Sequence, residues 1–495
     1  MKNVDLSTVL AALPFYQQDK EGNPAITSIE NDHRLIQEGS LFICIKGFTF
    51  DGHEAAEEAV RKGAAAIVAE RPVNVSVPVI YVSDTKRAMA YLAAHFYQYP
   101  TEGFHLIGIT GTNGKTTTSH LIEQILQTHG ETTGLIGTMY IKIGDETIET
   151  KNTTPESLTL QKTFSKMKQA GVTSAVMEVS SHALQEGRTN GTAFNVAVFT
   201  NLTQDHLDFH KTMEEYRAAK GLLFARLGNL FYAGRPAFAV LNADDAASSI
   251  YQSMTAAHVV TYGIDNKADV KAENVRLTSE GTAFTVKYPG GTVSVQSKLA
   301  GRFNVYNMIA AFAAGFVSGI NPETIRKALE SVAGVAGRFE LVPNKQDISV
   351  IVDYAHTPDS LVNVLETIRP LAKGRVTVVV GCGGDRDKTK RPLMAQAACR
   401  YADQAIFTSD NPRSENPAAI LADMESGVPD EQYLVIEDRK KAIFKAIEDA
   451  RPGDAVVIAG KGHETYQIIG QNVLHFDDRE TAKEALLQKE GEKHE

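Results

Sequence analysis

The stretch Gly108-Ile109-Thr110-Gly111-Thr112-Asn113-Gly114-Lys115-Thr116-Thr117 constrains this chain more than any other. Before it, Phe104-His105-Leu106-Ile107 is a short apolar run that predicts a buried strand. After it, Leu121, Ile122, Ile125 and Leu126 recur at helical spacing. Strand, glycine-rich turn and helix is the order in which a loop holds phosphate. Glycines let backbone N–H groups approach the ligand, and the helix N-terminus adds positive potential. In such a loop Lys115 reaches the β/γ-phosphates and Thr116 offers its hydroxyl to Mg²⁺. The match to the general phosphate-loop pattern is incomplete. That pattern wants a glycine five residues before Gly114, where Ile109 stands, and Gly108 comes one place early. The alternative is a β–α turn that carries Gly-Lys-Thr by chance. Agreement of strand, turn, lysine, hydroxyls and helix favours the phosphate reading.

A chain of 495 residues, at roughly 150 per domain, predicts three domains. An apolar fraction of 43% supplies several cores, and no low-complexity tract argues for disorder. No apolar run approaches the roughly 20 residues of a membrane span. Met1-Lys2-Asn3-Val4-Asp5 lacks the apolar core of a signal peptide. Cys44, Cys382 and Cys399 are too few and scattered for a disulfide framework or zinc site. These features predict a soluble cytoplasmic protein. A net charge of −10 disfavours nonspecific nucleic-acid binding, so any anionic ligand must meet basic residues placed locally.

Residues 1–100 read as a small α/β unit. Strands are expected over Ser40–Ile45, Ala64–Val68 and Val77–Val82, with helices over Glu54–Lys62 and Ala88–Tyr97. Pro100–Gly103 reads as a linker. The loop Gly47–His53 carries Asp51 and His53, which either touch a ligand or shape a turn. With no obvious catalytic group, this unit reads as a binding domain.

Residues 101–335 form a second unit. Thr133–Gly137 is followed by the polar loop Asn152-Thr153-Thr154-Pro155, whose proline opens a helix. The strand Ser174–Met177 ends in Glu178, a carboxylate placed where metal-holding acids sit in phosphate-loop proteins. The strand Asn195–Phe199 ends in a dense polar cluster that includes Asn201, Asp205, His206 and Asp208. His206 is a candidate metal ligand there. Lys220 lies in an otherwise apolar helical stretch, where the residues alone favour a lysine that snorkels to the surface. Residues 265–300 read as β-rich, and Gly301–Asn307 leads into an alanine-rich helix.

Residues 336–495 repeat strand, loop and helix four times. Ser349–Val352 leads to Asp353-Tyr354-Ala355-His356, and Val376–Val380 to Gly381–Asp387. Ala405–Thr408 leads to Asp410-Asn411-Pro412-Arg413, and Ala455–Ile458 to Gly460-Lys461-Gly462-His463-Glu464. The pattern predicts a parallel sheet covered on both faces, with ligands beyond the carboxyl ends of its strands. Arg386, Lys388, Lys390 and Arg391 suggest an anionic ligand.

Taken together these motifs resemble the Mur ligase family over essentially the whole chain. The phosphate loop matches, including its departure from the strict pattern. So do Glu178–His182, Asn201 with Asp205–Asp208, Gly301 with Phe303–Asn307, Gly337–Glu340 and Asp353–His356, in that order. The resemblance implies an α/β fold of three domains. These are a small α/β UDP-binding domain (1–100), a central P-loop-type ATPase domain with a mostly parallel sheet (101–335), and a C-terminal Rossmann-like α/β domain that takes the amino acid (336–495).

It implies an ATP-dependent ligase that adds meso-2,6-diaminopimelate to UDP-N-acetylmuramoyl-L-alanyl-D-glutamate through an acyl phosphate. The partners are then small molecules (the UDP-muramoyl dipeptide, diaminopimelate and ATP), with no nucleic acid or membrane span, and the protein is a monomer. Gly111, Thr112, Asn113, Gly114, Lys115, Thr116, Thr117, Asn304, Arg338 and Asp353 would hold ATP. Thr116, Glu178, His206 and Lys220 would serve Mg²⁺. Lys220 matches a lysine that takes up CO₂ as a carbamate, which reverses the snorkelling reading. Asn152, Thr153, Thr154, Ser180 and Arg188 would hold the UDP-muramoyl dipeptide. Arg386, Asp410, Asn411, Pro412, Arg413, Gly460 and Glu464 would hold diaminopimelate. Arg413 would read its distal carboxylate and Glu464 its distal ammonium. An alternative for Arg413 is a salt bridge to Glu415 or a nearby acid. His33 stands where a serine often contacts the uridine, and Glu186 where some members carry glutamine. The competing functions are the L-lysine-adding ligase of the same family, folylpolyglutamate synthase, and a nucleotide-dependent switch.

Overall fold

Short apolar strands that alternate with amphipathic helices build an α/β protein, and the computed structural model describes residues 3–47, 50–150, 152–229, 236–278 and 281–492. Phe48 and Thr49 of the Gly47–His53 loop lie outside the described residues. The chain divides into two compact units, Met1–Gly108 with Glu131–Asn195, and Ile109–Gly130 with Val196–Glu495.

In the first unit, Ser28–Glu30, Ser40–Ile43, Ala64–Ala69 and Val79–Tyr81 form a parallel sheet, with Gln17–Gln18 antiparallel at its edge. The two-residue period of the strands sorts their side chains. Leu41 and Ile43 pack under Leu6–Leu10 and Thr85–Phe96, while Phe42 and Cys44 face Ala56–Arg61. The expected linker at Pro100–Gly103 is a 3₁₀ turn instead, because Pro100 occupies its first position. The helix expected to open at Pro155 begins at Ser157, with Glu156 as its N-cap. Thr133–Ile136 lies parallel to Ser174–Glu178.

In the second unit, Val196–Phe199, Phe238–Asn242, His258–Gly263 and Val270–Thr278 pair in parallel. The sheet continues as an antiparallel meander through Gly281–Tyr288 and Gly291–Ser297. The phosphate-loop helix Lys115–His129 packs against Arg302–Val317, whose alanine-rich interior is buried all round.

The same unit holds a six-stranded sheet. In space its order is Glu340–Leu341, Ser349–Asp353, Ala455–Ala459, Val376–Val380, Gln404–Phe407 and Tyr433–Val435. All but the first pair are parallel. Both faces are covered. Val378 and Val380 pack under Pro358–Ile368 and Lys390–Tyr401, while Val379 and Ile458 pack with Arg439–Asp449 and the helix Asp478–Glu492. Register aligns Asp353 with Ala459, Ala459 with Val380, and Val380 with Phe407. Four loops rich in polar residues therefore open along one edge of the sheet, where α/β sheets bind ligands. No helix among the described residues is long and apolar enough to cross a membrane.

Candidate active site

The phosphate loop is held by its own second strand. Thr200 N–H donates to the carbonyl of Thr110 at 3.0 Å, and Thr112 N–H to that of Asn201 at 2.8 Å. Asn113 N–H donates to Asn201 Oδ1 at 2.9 Å, and Thr200 Oγ1 donates to the Asn113 carbonyl at 2.7 Å. Asn201 is therefore a clamp on the loop. Gly111 is required by close approach, since a Cβ there would stand 1.8 Å from Thr200 Oγ1. Gly114 takes φ +85° as the helix N-cap, and a Cβ would meet Asn307 Oδ1 at 2.4 Å. Lys115 Nζ donates to the carbonyls of Gly111 and Thr112 at 2.9 and 2.8 Å.

Lys220 does not snorkel. It is 1% exposed on the helix Met213–Ala225, and its Nζ donates to the Gly111 carbonyl at 2.8 Å beside the Tyr216 ring. Burial, and then the charge of Lys115, push its ammonium well below the ordinary lysine range, against a weaker pull from Asp205. Asp205 is a hub that its own sequence position does not reveal. Its carboxylate lies 3.4 Å from His206 Nε2, 3.7 Å from His356 Nε2 and 3.3 Å from Lys390 Nζ. Burial opposes its ionisation, but His206, then Lys390 and His356, outweigh burial and hold it well below the usual carboxylate range. His206 itself sits in the left-handed region, at φ +56°.

Next to the loop is a cavity of about 430 Å³, within the range of small-ligand sites. Asn113, Gly114, Thr117, Asn201, Asp244, Tyr306, Asn307, Arg338, Asp353 and Tyr354 line parts of it. Asn304 lies one helical turn from Asn307 and accepts from its amide at 3.2 Å. Arg338 donates to Thr116 Oγ1 at 3.1 Å and stacks over the Tyr354 ring at 4.5 Å, while its buried Nε has no hydrogen-bond partner. Burial raises the Asp353 carboxyl, opposed by Arg338. The phosphate loop, Asn304, Arg338 and Asp353 are thus brought together, with Arg338 bonded to Thr116 across 222 positions of sequence.

At the open edge of the six-stranded sheet, Asn411, Lys461 and Glu464 form a triangle. Lys461 Nζ donates to Asn411 Oδ1 at 3.2 Å and Glu464 Oε2 at 3.0 Å, and Asn411 Nδ2 donates to Glu464 Oε2 at 2.9 Å. Gly460 has φ +117°, and a Cβ would reach Asp410 Oδ2 at 2.6 Å. Arg413 Nη1 donates to the Gly384 carbonyl at 2.7 Å, and no carboxylate among the described residues pairs with it. The alternative partner Glu415 is taken by Arg391 at 2.8 Å and Lys388 at 3.1 Å. Burial, then Arg386, push the Arg413 guanidinium down. Of the four basic residues at 386–391, three are already committed: Lys388 and Arg391 to Glu415, Lys390 to Asp205. Arg386 alone donates only to a carbonyl, that of Asp385. Pro412 lies between Asn411 and Arg413, its carbonyl accepting from Glu415 N–H.

The first unit gathers its own set. Glu178 is fully buried and accepts from Thr138 N–H and Oγ1, each at 3.0 Å. Thr154 Oγ1 donates to the Glu178 carbonyl at 2.9 Å and accepts from Ser180 N–H at 3.0 Å. Thr153 meets Thr138 at 3.1 Å, and the Asn152 carbonyl accepts from Thr150 Oγ1. Arg188 is engaged by Glu186 at 2.6 Å and by Glu156 at 3.0 Å. His53 is structural. Its Nδ1 donates to Asp51 at 2.6 Å and its Nε2 accepts from Glu70 N–H at 3.0 Å, so both nitrogens shape the turn. The His33 ring lies 5.5 Å from that of Phe50.

Three family models match this chain: the Mur ligase family catalytic domain over residues 25–97, the Mur ligase middle domain over 109–315, and the Mur ligase glutamate ligase domain over 337–462. The chain belongs to the Mur ligase family, whose members are ATP-dependent ligases. Among its relatives is the UDP-N-acetylmuramoyl-L-alanyl-D-glutamate–2,6-diaminopimelate ligase of Bacillus cereus, 60% identical over 481 residues, 97% of this chain and 98% of that protein. The enzyme of the same name from Halalkalibacterium halodurans is 60% identical over 486 residues, 98% of this chain and 99% of that one. A solved structure of a UDP-N-acetylmuramoyl-L-alanyl-D-glutamate–2,6-diaminopimelate ligase superimposes with a TM-score of 0.70 at 33% identity, covering 99% of this chain and 100% of that one.

Proposed function

We propose that this chain joins meso-2,6-diaminopimelate to UDP-N-acetylmuramoyl-L-alanyl-D-glutamate at the expense of ATP, as a monomer in the cytoplasm, in the synthesis of a peptidoglycan precursor. Family membership supplies the reaction. The observation that carries the choice of amino acid is the Arg413 guanidinium at a strand end, with no ion-pair carboxylate against it among the described residues. A planar fork of donors suits a carboxylate, and the distal carboxylate is what distinguishes diaminopimelate from L-lysine.

A carboxylate is a poor electrophile. Transfer of the γ-phosphoryl group to the D-glutamyl carboxylate releases ADP and makes an acyl phosphate. The amine nitrogen then bonds to the acyl carbon, phosphate leaves with the C–O electron pair, and the amine loses its proton. In this reading residues 1–100 bind the UDP end, 101–335 the nucleotide, and 336–495 the amino acid. Asn152, Thr153, Thr154, Ser180 and Arg188 hold the dipeptide substrate. Arg188 is already paired with Glu186, so an anionic substrate group must share or displace that carboxylate. Lys115 and Arg338 neutralise charge on the transferring phosphate, and the backbone N–H groups of the loop orient it.

Thr116 and His206 in the second unit, and Glu178 in the first, each carry a donor atom that Mg²⁺ would take, and this cation keeps several waters and needs few protein ligands. Bound there, Mg²⁺ would neutralise phosphate charge. Lys220 fits carbamate formation. Burial and the charge of Lys115 push its ammonium toward the amine form, and a carbamate nitrogen keeps the N–H that now donates to Gly111. An anion at that position would also relieve the repulsion between Lys220 and Lys115. The test is incubation with ATP, Mg²⁺, the UDP-muramoyl dipeptide and candidate amino acids. A tripeptide product and ADP are expected with diaminopimelate. ADP without a joined product would point to a nucleotide-dependent switch, and equal use of L-lysine would overturn the choice of amino acid.

A further inference from the structure

Lys461 is an unusual residue to bury. Its side chain is fully enclosed, yet its ammonium touches no substrate residue except through Asn411 and Glu464. Both of those side chains face the strand ends where Arg413 lies. Asn411 Oδ1 also accepts from Ile468 N–H at 3.0 Å, and the Ile468 carbonyl accepts from Arg413 N–H at 3.0 Å. Lys461, Asn411, Glu464 and Arg413 are thus one hydrogen-bonded assembly. We propose that Lys461 is a specificity-determining residue that acts through Glu464, cancelling its charge so that the site favours a doubly carboxylated amino acid over L-lysine.

The argument is one of charge and rests on the proposed function. Two cations, Arg386 and Arg413, stand at the loop edge with no carboxylate partner in an ion pair among the described residues. Three carboxylates, Asp385, Asp410 and Glu464, stand near them. Without Lys461 these five groups sum to one net negative charge. With Lys461 the site is neutral. The nearby Arg439 adds nothing, because Asp478 is bound to it at 2.7 Å with both side chains fully buried. Diaminopimelate, with two ammonium and two carboxylate groups, is neutral overall at pH 7. L-Lysine carries one net positive charge, which a neutral low-dielectric pocket does not compensate and a net negative one would. Glu464 can still accept from a distal ammonium through Oε1, which among the described residues meets a long bond of 3.5 Å from the Tyr354 hydroxyl. Neutralised by Lys461, however, Glu464 does not attract a second amine strongly enough to admit lysine on charge alone.

Lys461→Met keeps most of the side-chain length and removes the charge. The experiment measures kcat and KM of wild type, Lys461→Met, Glu464→Gln and the double variant with diaminopimelate and with L-lysine, alongside thermal melts. In Lys461→Met the ratio of kcat/KM for diaminopimelate over lysine should fall about tenfold or more, chiefly through a lower KM for lysine. In Glu464→Gln, which leaves Lys461 without its counter-ion, that ratio should rise. In the double variant it should return toward the wild-type value, although both rates are lower. A merely structural lysine would lower both rates together and leave the ratio alone. An unchanged ratio in a folded Lys461→Met, or a ratio equally low in the double variant, overturns the inference. If Lys461→Met does not fold, an unchanged or lower ratio in Glu464→Gln overturns it. A wild-type protein that joins neither amino acid overturns the proposed function and this inference with it. A wild type that prefers diaminopimelate, with ratios that ignore both substitutions, overturns this inference alone.

Discussion

Lys220 Nζ and Lys115 Nζ donate to the same oxygen, the carbonyl of Gly111, at 2.8 and 2.9 Å. One lysine belongs to the phosphate loop and the other to a buried helix face, and a single backbone carbonyl holds two amines that repel each other. Conversion of the buried amine to an anion would turn that repulsion into attraction.

Lys220→Ala is therefore expected to lose product formation by about a hundredfold or more, the scale of removing a group that stabilises charge in the reacting state. Short carboxylic acids added to the variant should restore part of the rate by occupying the space of the carbamate. Steady-state rates with and without such acids check this, and a fully active variant would return Lys220 to a structural role.

Lys115→Ala should lose turnover by about a hundredfold or more while its melting temperature stays close to that of the wild type. Two of its hydrogen bonds go to carbonyls of the loop itself, which Asn201 and Thr200 also hold. Paired activity and melting measurements decide the point, and near-normal turnover would exclude the proposed phosphate loop.

Arg413→Ala should lower kcat/KM for diaminopimelate by about a hundredfold, because a charged fork with no ion-pair carboxylate partner among the described residues is removed. The effect on L-lysine should be much smaller. Competition between the two amino acids, followed by product analysis, measures both.

Stability should depend on Glu415 in a defined pH window. The Arg391 hydrogen bond holds the Glu415 carboxyl at about 2, below its ordinary 4.5, against a modest opposing effect of burial. A depressed carboxyl binds fewer protons folded than unfolded. Its stabilising effect is therefore complete above pH 4.5 and is lost as the pH falls from about 4.5 to about 2. Glu415→Gln should melt below the wild type at pH 7, and the gap should close as the pH is lowered through that window. A gap that stays constant from pH 7 to pH 3 would contradict the pairing.

The strands and their polar loops are legible in the sequence because they depend on local pattern. Val376–Val380 is valine at every position but Thr377 and is followed by glycine, so it reads as a buried parallel strand, and the structure buries every residue of it. The phosphate loop is legible for the same reason, since strand, glycine turn and helix are contiguous. The ends of elements are less so. Pro100–Gly103 reads as a linker and is one 3₁₀ turn, and the helix that Pro155 signals starts two residues later, at Ser157.

Charge pairing is the part that only the tertiary structure decided. In sequence, Arg386, Lys388, Lys390 and Arg391 look like one basic cluster for an anion. Folding sends Lys390 to Asp205, 185 residues away, and Arg391 to Glu415 and Asp423. Lys220 reads as a snorkelling lysine until the helix that carries it is packed against Gly111, 109 residues earlier. The sequence by itself determined the class of fold, the phosphate loop and the family, because those rest on periodicity and on motifs whose residues are neighbours in the chain. Which cations remain for substrate, and which are spent on the protein's own carboxylates, depends on distances of a few ångströms between residues far apart in sequence, and Coulomb energies are set by those distances and by the burial around them.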